Sequence, residues 1–592
     1  MSNVRQRKQQ KMAACVGCRQ MKLKCDGNEK FPAPCTRCAT SDLNCHVDPL
    51  FKRTAKRERL NVVERQLREI KDRLDAPRTS PLPDVSPRIT ESVSTTSTQS
   101  PIENDPSVVY HALQQIRIHS GPRSLNGVEL VPDQVADLVE HYFVNYHPQF
   151  PILPDIASFR DYSANEDLLF WTVVTIALRN KLEYRSIYLV LAESVRLLAC
   201  DIARSGLPSL QSIQSLLLLC CWPPPFGPSI DDPSSTFVSL ASSSALRLGL
   251  HRPRFVSEYE YKLQLDDFTL VQRRRTWICC FIINFYVCSY MGIPSLVQPD
   301  HSILEAVATQ PQWLPDTLFF QLQIARQGRH IDNTLGNYDL SASGLLPNPT
   351  SYIRSFDAEL RLLEAEYRQR WSKHDFITFL QCKLILYGFG TMAPDDPHGV
   401  TKDQSGYQDR LSTHHWTQQA YVASLGLIQS AVSLKESFLF TTIHTQRWIA
   451  NATAYLLRLL VYPQEYEFDE TIIRNGINQG WQLLKACSMR ENDQMSRATA
   501  VITYLSSESL GTNPVKKHDI VRTRSKMGAN MYADMVTIAR DRFAQHIQVQ
   551  RPKDCTGAAA DEEAQAQLNE LSIDSIFSGQ YTEDWASFLQ NI

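Results

Sequence analysis

The chain has 592 residues, a length that exceeds one ordinary hydrophobic core and predicts several structural parts. Its 61 Lys and Arg residues nearly balance its 63 Asp and Glu residues, and 43% of all residues are hydrophobic. With only 15 cysteines in this length, the composition argues against a small secreted domain that depends on disulfides.

Six of the cysteines fall within positions 15–45, in two copies of one spacing. The half-unit C-x2-C-x6-C occurs twice, and nine residues separate the copies. One tetrahedral zinc ion needs four ligands, so six thiolates are too many for one ion and too few for two separate ions. If two thiolates bridge, each of two Zn²⁺ ions obtains four sulfurs. The spacing therefore predicts a binuclear zinc cluster with the ligands Cys15, Cys18, Cys25, Cys35, Cys38 and Cys45.

Three other uses of these cysteines fit less well. Disulfides are disfavoured because the charged N-terminus lacks the apolar core of a secretory signal, and the other nine cysteines are scattered, mostly in apolar contexts. A zinc ribbon made of the two C-x2-C pairs would leave Cys25 and Cys45 unrelated to the metal. A redox C-x-x-C motif is expected near a βαβ pattern, and none is visible.

The charge of the chain is divided unequally. Residues 1–60 hold 14 Lys or Arg and 5 Asp or Glu, a balance of +9, whereas the whole chain is −2, so the remainder carries −11. A basic N-terminal part, including a basic tail at 1–14, on an acidic body indicates a nucleic-acid-binding protein. The alternative is that the basic runs are solvated tails or serve nuclear import.

The segment "CVGCRQMKLKC", followed by "CTRC" and Cys45, resembles the fungal Zn2Cys6 (zinc binuclear cluster) transcription factors. The resemblance implies a domain at 15–45 in which Cys15 and Cys35 bridge the two ions. It also implies two short helices, each followed by an extended strand.

The same resemblance implies that the basic insert caps the first helix and reaches the DNA major groove over a CGG-type triplet. Met21 stands where some family members have a second base-reading lysine, and the prolines lie at 32 and 34. Carried over to this sequence, the resemblance places Lys22 at base edges, and near phosphates it places Arg19, Lys24 and Arg37.

A short helical segment at 57–74 offers a way to double the DNA-binding module. Its apolar residues are spaced 3, 4, 3, 4, which is typical of a coiled-coil seam. We predict a dimerisation segment, joined to the cluster by a linker at 46–56 that sets half-site spacing. The alternative is an amphipathic helix that packs on its own chain. The predicted seam consists of Leu60, Val63, Leu67, Ile70 and Leu74.

Two segments of contrasting composition follow. Residues 75–126 begin with a Pro-, Ser- and Thr-rich run and are predicted to be a disordered linker. Residues 127–549 show helical periodicity throughout, with Pro, Gly and Asn-rich breaks, and predict an all-α body. The apolar run 277–293 is near the length of a membrane span, but Asn284 at its centre favours a buried helix.

The body resembles the same family's fungal-specific middle homology region. The matching stretches are "HYFVNYHPQFPIL", "ALRLGLHRP" and "RRRTWICCFIINFYVCSYMGIP". The resemblance implies a regulatory α-helical domain that in some members binds a small effector. The group of activators of secreted proteases and weak-acid response regulators is similar, and a regulator of secondary metabolism is an equal alternative.

Evidence for an enzyme is thin. No phosphate-binding or nucleophile-elbow motif is present, and His414 and His415 are adjacent rather than at helical ligand spacing. Ser242 to Ser244 lie in a helix-like run, and Cys279 and Cys280 are interpreted as core residues. Residues 550–592 mix acidic with aromatic and aliphatic residues, the composition of a transcriptional activation segment that docks on coactivators; a tail helix packed on the body is the alternative.

The sequence therefore predicts a nuclear, zinc-dependent activator of RNA polymerase II transcription. We expect it to act without catalysis, as a homodimer on paired CGG-like half-sites of double-stranded DNA, with two Zn²⁺ per chain. The alternatives are a repressor without an activation segment and a zinc-scaffolded protein-interaction module.

Overall fold

A computed structural model describes most of the helical part of the chain and the cysteine-rich segment. The described residues are 14–26, 34–41, 45, 106–119, 122–204, 208–227, 229–259, 265–392, 406–461, 468–508, 526–528 and 531–550. The chain divides into two compact units, Met1–Ser100 and Pro101–Ile592. The described residues are mostly helical, so the predicted all-α class is confirmed.

The described residues of the first unit form two short helices, α1 (Val16–Met21) and α2 (Thr36–Thr40). Each begins directly after a cysteine of the repeated motif, Cys15 or Cys35, whose backbone is not helical. The Sγ atom of Cys15 accepts a hydrogen bond of 3.5 Å from the backbone N–H of Cys18. The doubled spacing of the sequence therefore corresponds to a doubled local structure.

The second unit is built from long helices around one apolar core. Six short 3₁₀ turns connect them within the described residues, at His147–Gln149, Leu182–Tyr184, Ile202–Arg204, Ser229–Asp231, Val256–Glu258 and Lys435–Phe440. In chain order the helices are α3 Pro106–His119, α4 Pro132–Asn145, α5 Ile156–Tyr162, α6 Asp167–Leu178, α7 Arg185–Asp201, α8 Leu210–Cys221, α9 Ser234–Arg247, α10 Asp267–Met291, α11 His301–Thr309, α12 Asp316–Gly336, α13 Thr350–Tyr367, α14 Lys373–Gly390, α15 Gly406–Val432, α16 Ile443–Val461, α17 Glu470–Cys487, α18 Gln494–Glu508 and α19 Met531–Gln550.

The folded body begins earlier than the sequence predicted. Residues 75–126 were expected to be a disordered linker, but α3 lies within them, and its Ala112 and Leu113 are buried in the core. The helix packs against α4 and α5, which provide the partner surface that its short apolar face needs. The linker prediction is therefore wrong for residues 106–119.

A two-stranded antiparallel hairpin follows α3. Strand β1 (Arg123–Leu125) pairs with β2 (Val128–Leu130), with Ser124 opposite Glu129. The turn residues Asn126 and Gly127 both have positive φ, the type I′ geometry that an Asn-Gly pair favours. This hairpin is the only sheet among the described residues. Its strand β1 falls within residues 75–126, so the prediction of a disordered linker is also wrong there.

Helix α10 confirms the predicted buried helix over residues 277–291, whereas Ile293 of the predicted run lies beyond its end and is exposed. Asp266 begins the helix by accepting a 2.8 Å hydrogen bond from the N–H of Thr269, and Gly292 ends it with a φ of 68°. Burial along α10 extends from Gln272 to Ser289, and none of the described helices is both long and apolar enough to cross a membrane. The helix is therefore a central element of the all-α body.

The buried side chain of Asn284 in α10 forms hydrogen bonds with the loop that follows this helix. Its Oδ1 accepts hydrogen bonds from the Oγ of Ser295 at 2.5 Å and from the backbone N–H groups of Leu296 and Val297 at 2.8 and 3.2 Å. The asparagine that interrupts the apolar run is fully buried, and its Oδ1 is satisfied as the acceptor for the following loop.

The cysteine, serine and histidine residues that the sequence offered as catalytic candidates lie on described helices. Cys279 and Cys280 are fully buried, and burial raises the pKa of both thiols, which confirms their interpretation as core residues. Ser242 to Ser244 lie on α9, and His414 and His415 lie on α15. The predicted linker at 46–56, the dimerisation seam at 57–74 and residues 551–592 lie outside the described residues.

Candidate metal centre

The six cysteines of the first unit converge into two groups of four sulfurs. One group contains Cys15, Cys18, Cys25 and Cys35, and the other contains Cys15, Cys35, Cys38 and Cys45. All Sγ atoms of a group lie within 4.8 Å of one another. The two groups share Cys15 and Cys35, which is the arrangement that gives each of two ions four ligands from six cysteines.

The sulfur separations fit tetrahedral zinc. The Sγ atom of Cys15 lies 3.9 Å from that of Cys35 and 3.8 Å from that of Cys38, and Cys18 and Cys35 are also 3.8 Å apart. Zn–S bonds of about 2.3 Å at tetrahedral angles place sulfurs about 3.8 Å from each other. An all-thiolate donor set of this kind suits Zn²⁺, which has no redox chemistry of its own.

Burial shields the centre of this cluster. Cys15, Cys18, Cys35 and Cys38 are at most 1% exposed, whereas Cys25 and Cys45 are half-buried. The backbone N–H of Cys35 donates a hydrogen bond of 3.4 Å to the Sγ of Cys45, which supports a thiolate at that position. The two shared cysteines therefore lie inside the cluster, and Cys25 and Cys45 lie nearer its surface.

The thiols differ in their affinity for protons. The backbone N–H of Cys38 lowers the pKa of the Cys35 thiol to about 6. The neighbouring Cys35 side chain, with burial, raises the pKa of Cys38, and burial raises the pKa of Cys15. Because a thiol must lose its proton to bind a metal, protons and metal compete at these sulfurs, and acid weakens metal binding.

A carboxylate joins the two halves of the domain. The Oδ1 atom of Asp26 accepts a hydrogen bond of 3.0 Å from the backbone N–H of Thr36, and Oδ2 accepts one from its hydroxyl group. Asp26 follows the third cysteine and Thr36 follows the fourth, so the contact closes the loop between the half-units. Sequence reasoning missed this pair because Asp26 lies ten residues before Thr36, outside the range of a local helix-capping pattern.

The predicted DNA-contacting residues occupy different environments. Lys22 and Lys24 are exposed, and Arg19 is half-buried near the end of α1. Lys22 follows α1 with φ 56° and ψ 41°, a left-handed conformation. Its backbone N–H donates to the carbonyl of Arg19 at 3.3 Å, so the basic insert begins where α1 ends.

Arg37 contacts the cluster itself. Its Nη1 lies 3.9 Å from the Sγ of Cys18, a ligand residue in the other half-unit. A guanidinium at this distance from a thiolate offsets negative charge on the sulfur. The sequence assigned Arg37 to phosphate contact only, so its position beside Cys18 was not foreseen.

The family comparisons agree with this site. Residues 13–54 match the family model described as "Fungal Zn(2)-Cys(6) binuclear cluster domain", and residues 139–316 match "Fungal specific transcription factor domain". Both matches are to domains of fungal transcription factors, one over the cysteine cluster and one over part of the helical body.

Individual fungal proteins are also similar to this chain. The chain is 25% identical to the regulatory protein LEU3 of Saccharomyces cerevisiae, over 58% of this chain and 46% of the relative. It is 25% identical to the putative transcription factor SEF1 of Eremothecium gossypii and 22% identical to the transcriptional regulatory protein SEF1 of Candida albicans, over 89% of this chain in both cases. It spans 60% and 63% of those two proteins, so it corresponds to about half to two-thirds of its relatives' length.

Proposed function

We propose that the chain is a sequence-specific DNA-binding regulator of RNA polymerase II transcription whose N-terminal cluster holds two Zn²⁺ ions. The observation that supports the proposal is the pair of four-sulfur groups that share Cys15 and Cys35, next to the exposed Lys22 and Lys24. When bound, zinc supplies the folding energy of so small a domain. The basic side chains supply the attraction to DNA.

The residues of the basic insert are proposed to contact different parts of the DNA. Lys22 reads base edges of a CGG-like half-site in the major groove, and Arg19 and Lys24 contact phosphates. Arg37 keeps its proposed phosphate role, although its proximity to Cys18 gives it a second role in offsetting cluster charge. We place this function in the nucleus, where the chain's DNA target resides.

The remaining proposals concern partners. We propose a homodimer through Leu60, Val63, Leu67, Ile70 and Leu74, coactivator docking through 550–592, and a small-molecule effector in the helical body. The protein is proposed to be an activator without catalytic activity, in secondary metabolism, secreted-protease control or stress response. A repressor and a zinc-scaffolded interaction module are the alternatives, and the absence of binding to random duplex pools would favour the latter.

The test of DNA reading is the variant Lys22→Ala. We expect it to weaken binding to paired CGG half-sites by about 1–3 kcal/mol, while binding to scrambled duplex changes little, because a base contact carries sequence information. Fluorescence anisotropy on both duplexes measures the two affinities. Equal losses on both duplexes would assign Lys22 to phosphate contact instead.

Lys24→Ala is the matched comparison within the same exposed stretch. We expect it to weaken binding to both duplexes similarly and to lower the slope of log affinity against log salt by about 1. Repeating the anisotropy titrations at several salt concentrations measures that slope.

A further inference from the structure

Residues 526–528 form a strap that precedes α19 and packs closely on α10 and α12. A Cβ atom built on Gly292, which ends α10, would be 2.8 Å from Cγ of Lys526. A Cβ atom built on Gly336, at the end of α12, would be 2.7 Å from Cγ of Met527. Side chains at these two positions would collide with the strap, so the two glycines form the surface on which it lies.

The strap covers a buried carboxyl group. Asp332 of α12 is 3% exposed, and among the described residues its Oδ1 has no hydrogen-bond partner. Gly528 lies over this atom, since a Cβ atom built on it would be 3.2 Å from Oδ1 of Asp332 and 3.2 Å from Oγ of Ser289. The adjoining void gives the centre of a water molecule about 10 Å³, which is room for one water. An ionised carboxylate is costly in such a place, so the seated strap favours the protonated acid.

The groups that face the Asp332 carboxyl do not keep it ionised. Helices α10 and α14 contribute the thiols of Cys288 and Cys382, and burial raises the pKa of both, to about 11 for Cys288, so they are neutral at pH 7. Helix α12 contributes Arg329, whose Nη2 donates to a glutamine in the loop after α10 at 2.5 Å. The strap contributes Lys526, whose pKa is lowered by burial. Burial outweighs these groups and raises the pKa of the carboxyl to about 7.

The strap lies immediately before the start of α19. The backbone N–H of Tyr532 donates a hydrogen bond of 3.3 Å to Oδ1 of Asn451 in α16, and Met531 and Met535 are buried. Helix α19 packs on α16 and α18 through this face. Movement of the strap therefore acts directly on the first turn of α19.

We propose that the strap responds to the ionisation of Asp332: residues 526–528 stay seated on α10 and α12 while the acid is protonated, and loss of the proton lifts them and loosens α19. The ionised carboxylate needs water, and the seated strap excludes it, so deprotonation and lifting favour each other. Because α19 leads into the proposed activation segment at 550–592, lifting changes how the start of that segment is held. That consequence alone rests on the proposed function.

The expected direction is that higher pH opens the strap. An ordinary aspartate has a pKa of about 3.9, whereas the seated Asp332 has a pKa of about 7. The seated state holds its proton up to neutral pH and the lifted state has already lost it, so seating is most stable in acid and weakens as pH rises towards 7. Between pH 6 and pH 8 these two values give an increase in strap opening of about tenfold.

Hydrogen exchange of the full chain, followed by mass spectrometry at pH 6 and pH 8 and corrected for the intrinsic rate, tests the proposal. Peptides from 526–550 are expected to lose about tenfold in protection at pH 8, while peptides from α16 keep theirs. In Asp332→Asn, which keeps the shape but cannot ionise, protection of 526–550 should be equal at the two pH values. Asp339→Asn removes an exposed carboxylate from the loop after the same helix and should leave the pH dependence intact. The same pH dependence in Asp332→Asn, or an equal loss in α16, would overturn the proposal.

A second pair of variants lifts the strap without any ionisation. Gly528 has a φ of 70°, and Gly528→Ala adds a Cβ atom against Asp332 and Ser289, so 526–550 should exchange faster at both pH values, by roughly tenfold or more. Gly127→Ala is the matched control, because Gly127 has a φ of 79° and nothing within 4 Å of the added atom. It should leave exchange in 526–550 unchanged. Normal protection of α19 in Gly528→Ala would show that the strap does not hold this helix.

Discussion

Replacing Cys35 with serine is expected to remove both of the proposed Zn²⁺ ions and to abolish the proposed sequence-specific DNA binding. Cys35 belongs to both four-sulfur groups, so its loss leaves each group with three ligands. Structural zinc contributes about 10–16 kcal/mol to the folding of small zinc domains, and this unit has too little apolar core to fold without it. Metal content by elemental analysis and a gel shift on paired CGG half-sites measure the two effects.

Two further cysteine variants make this result specific. Cys45 belongs to one four-sulfur group only, so Cys45→Ser should leave one complete group and retain about one zinc per chain by ligand count. Cys200 is exposed on α7 and lies in the other unit, so Cys200→Ser should change neither metal content nor DNA binding. Two zinc ions and normal binding in Cys35→Ser would contradict the shared-sulfur arrangement.

Replacing Asn284 with leucine is expected to destabilise the helical unit by roughly 2–4 kcal/mol. The side chain is fully buried, and its Oδ1 is the acceptor for Ser295, Leu296 and Val297. Leucine has a similar volume but no hydrogen-bond acceptor, so the N–H groups of Leu296 and Val297, in the loop after α10, would lose their partner. A shift of the urea midpoint, followed by far-UV circular dichroism, measures the loss.

The control for Asn284 is another helical asparagine. Asn333 is exposed on α12, and its Oδ1 accepts a 3.3 Å hydrogen bond from the side chain of Asn337. Asn333→Leu should change stability by no more than about 0.5 kcal/mol, because water can replace the acceptor. Similar midpoints for the two variants would show that burial of Asn284 does not carry the effect.

The ligand set of the cluster could be predicted from sequence because it depends on counting and spacing. Six cysteines in two identical half-units leave few ways to satisfy tetrahedral ions, and the structure places all six together. The contact between Arg37 and Cys18 depends instead on how two segments 19 residues apart approach each other. No local pattern contains that information.

The helices also combine features that the sequence predicted with features that it did not. The apolar centre of α10 was evident from the sequence, but its polar first turn, which begins after Asp266, was recognised only in the structure. Helix α3 follows a run rich in Pro, Ser and Thr, and composition outweighed its short apolar pattern at Val109, Ala112 and Leu113. The approach of Phe285 in α10 and Arg447 in α16 to one cavity was not predictable, since these residues are more than 100 positions apart.

At position 22, the residue type that best suits the left-handed backbone differs from the one proposed for DNA recognition. Glycine adopts this conformation freely, whereas a residue with a side chain bears about 1 kcal/mol or more of strain there. A chain selected only for a well-formed turn would favour glycine here, so the strain at Lys22 is consistent with the proposed contact between its ammonium group and DNA. We therefore expect Lys22→Gly to raise the stability of the domain and to remove its discrimination between DNA sequences.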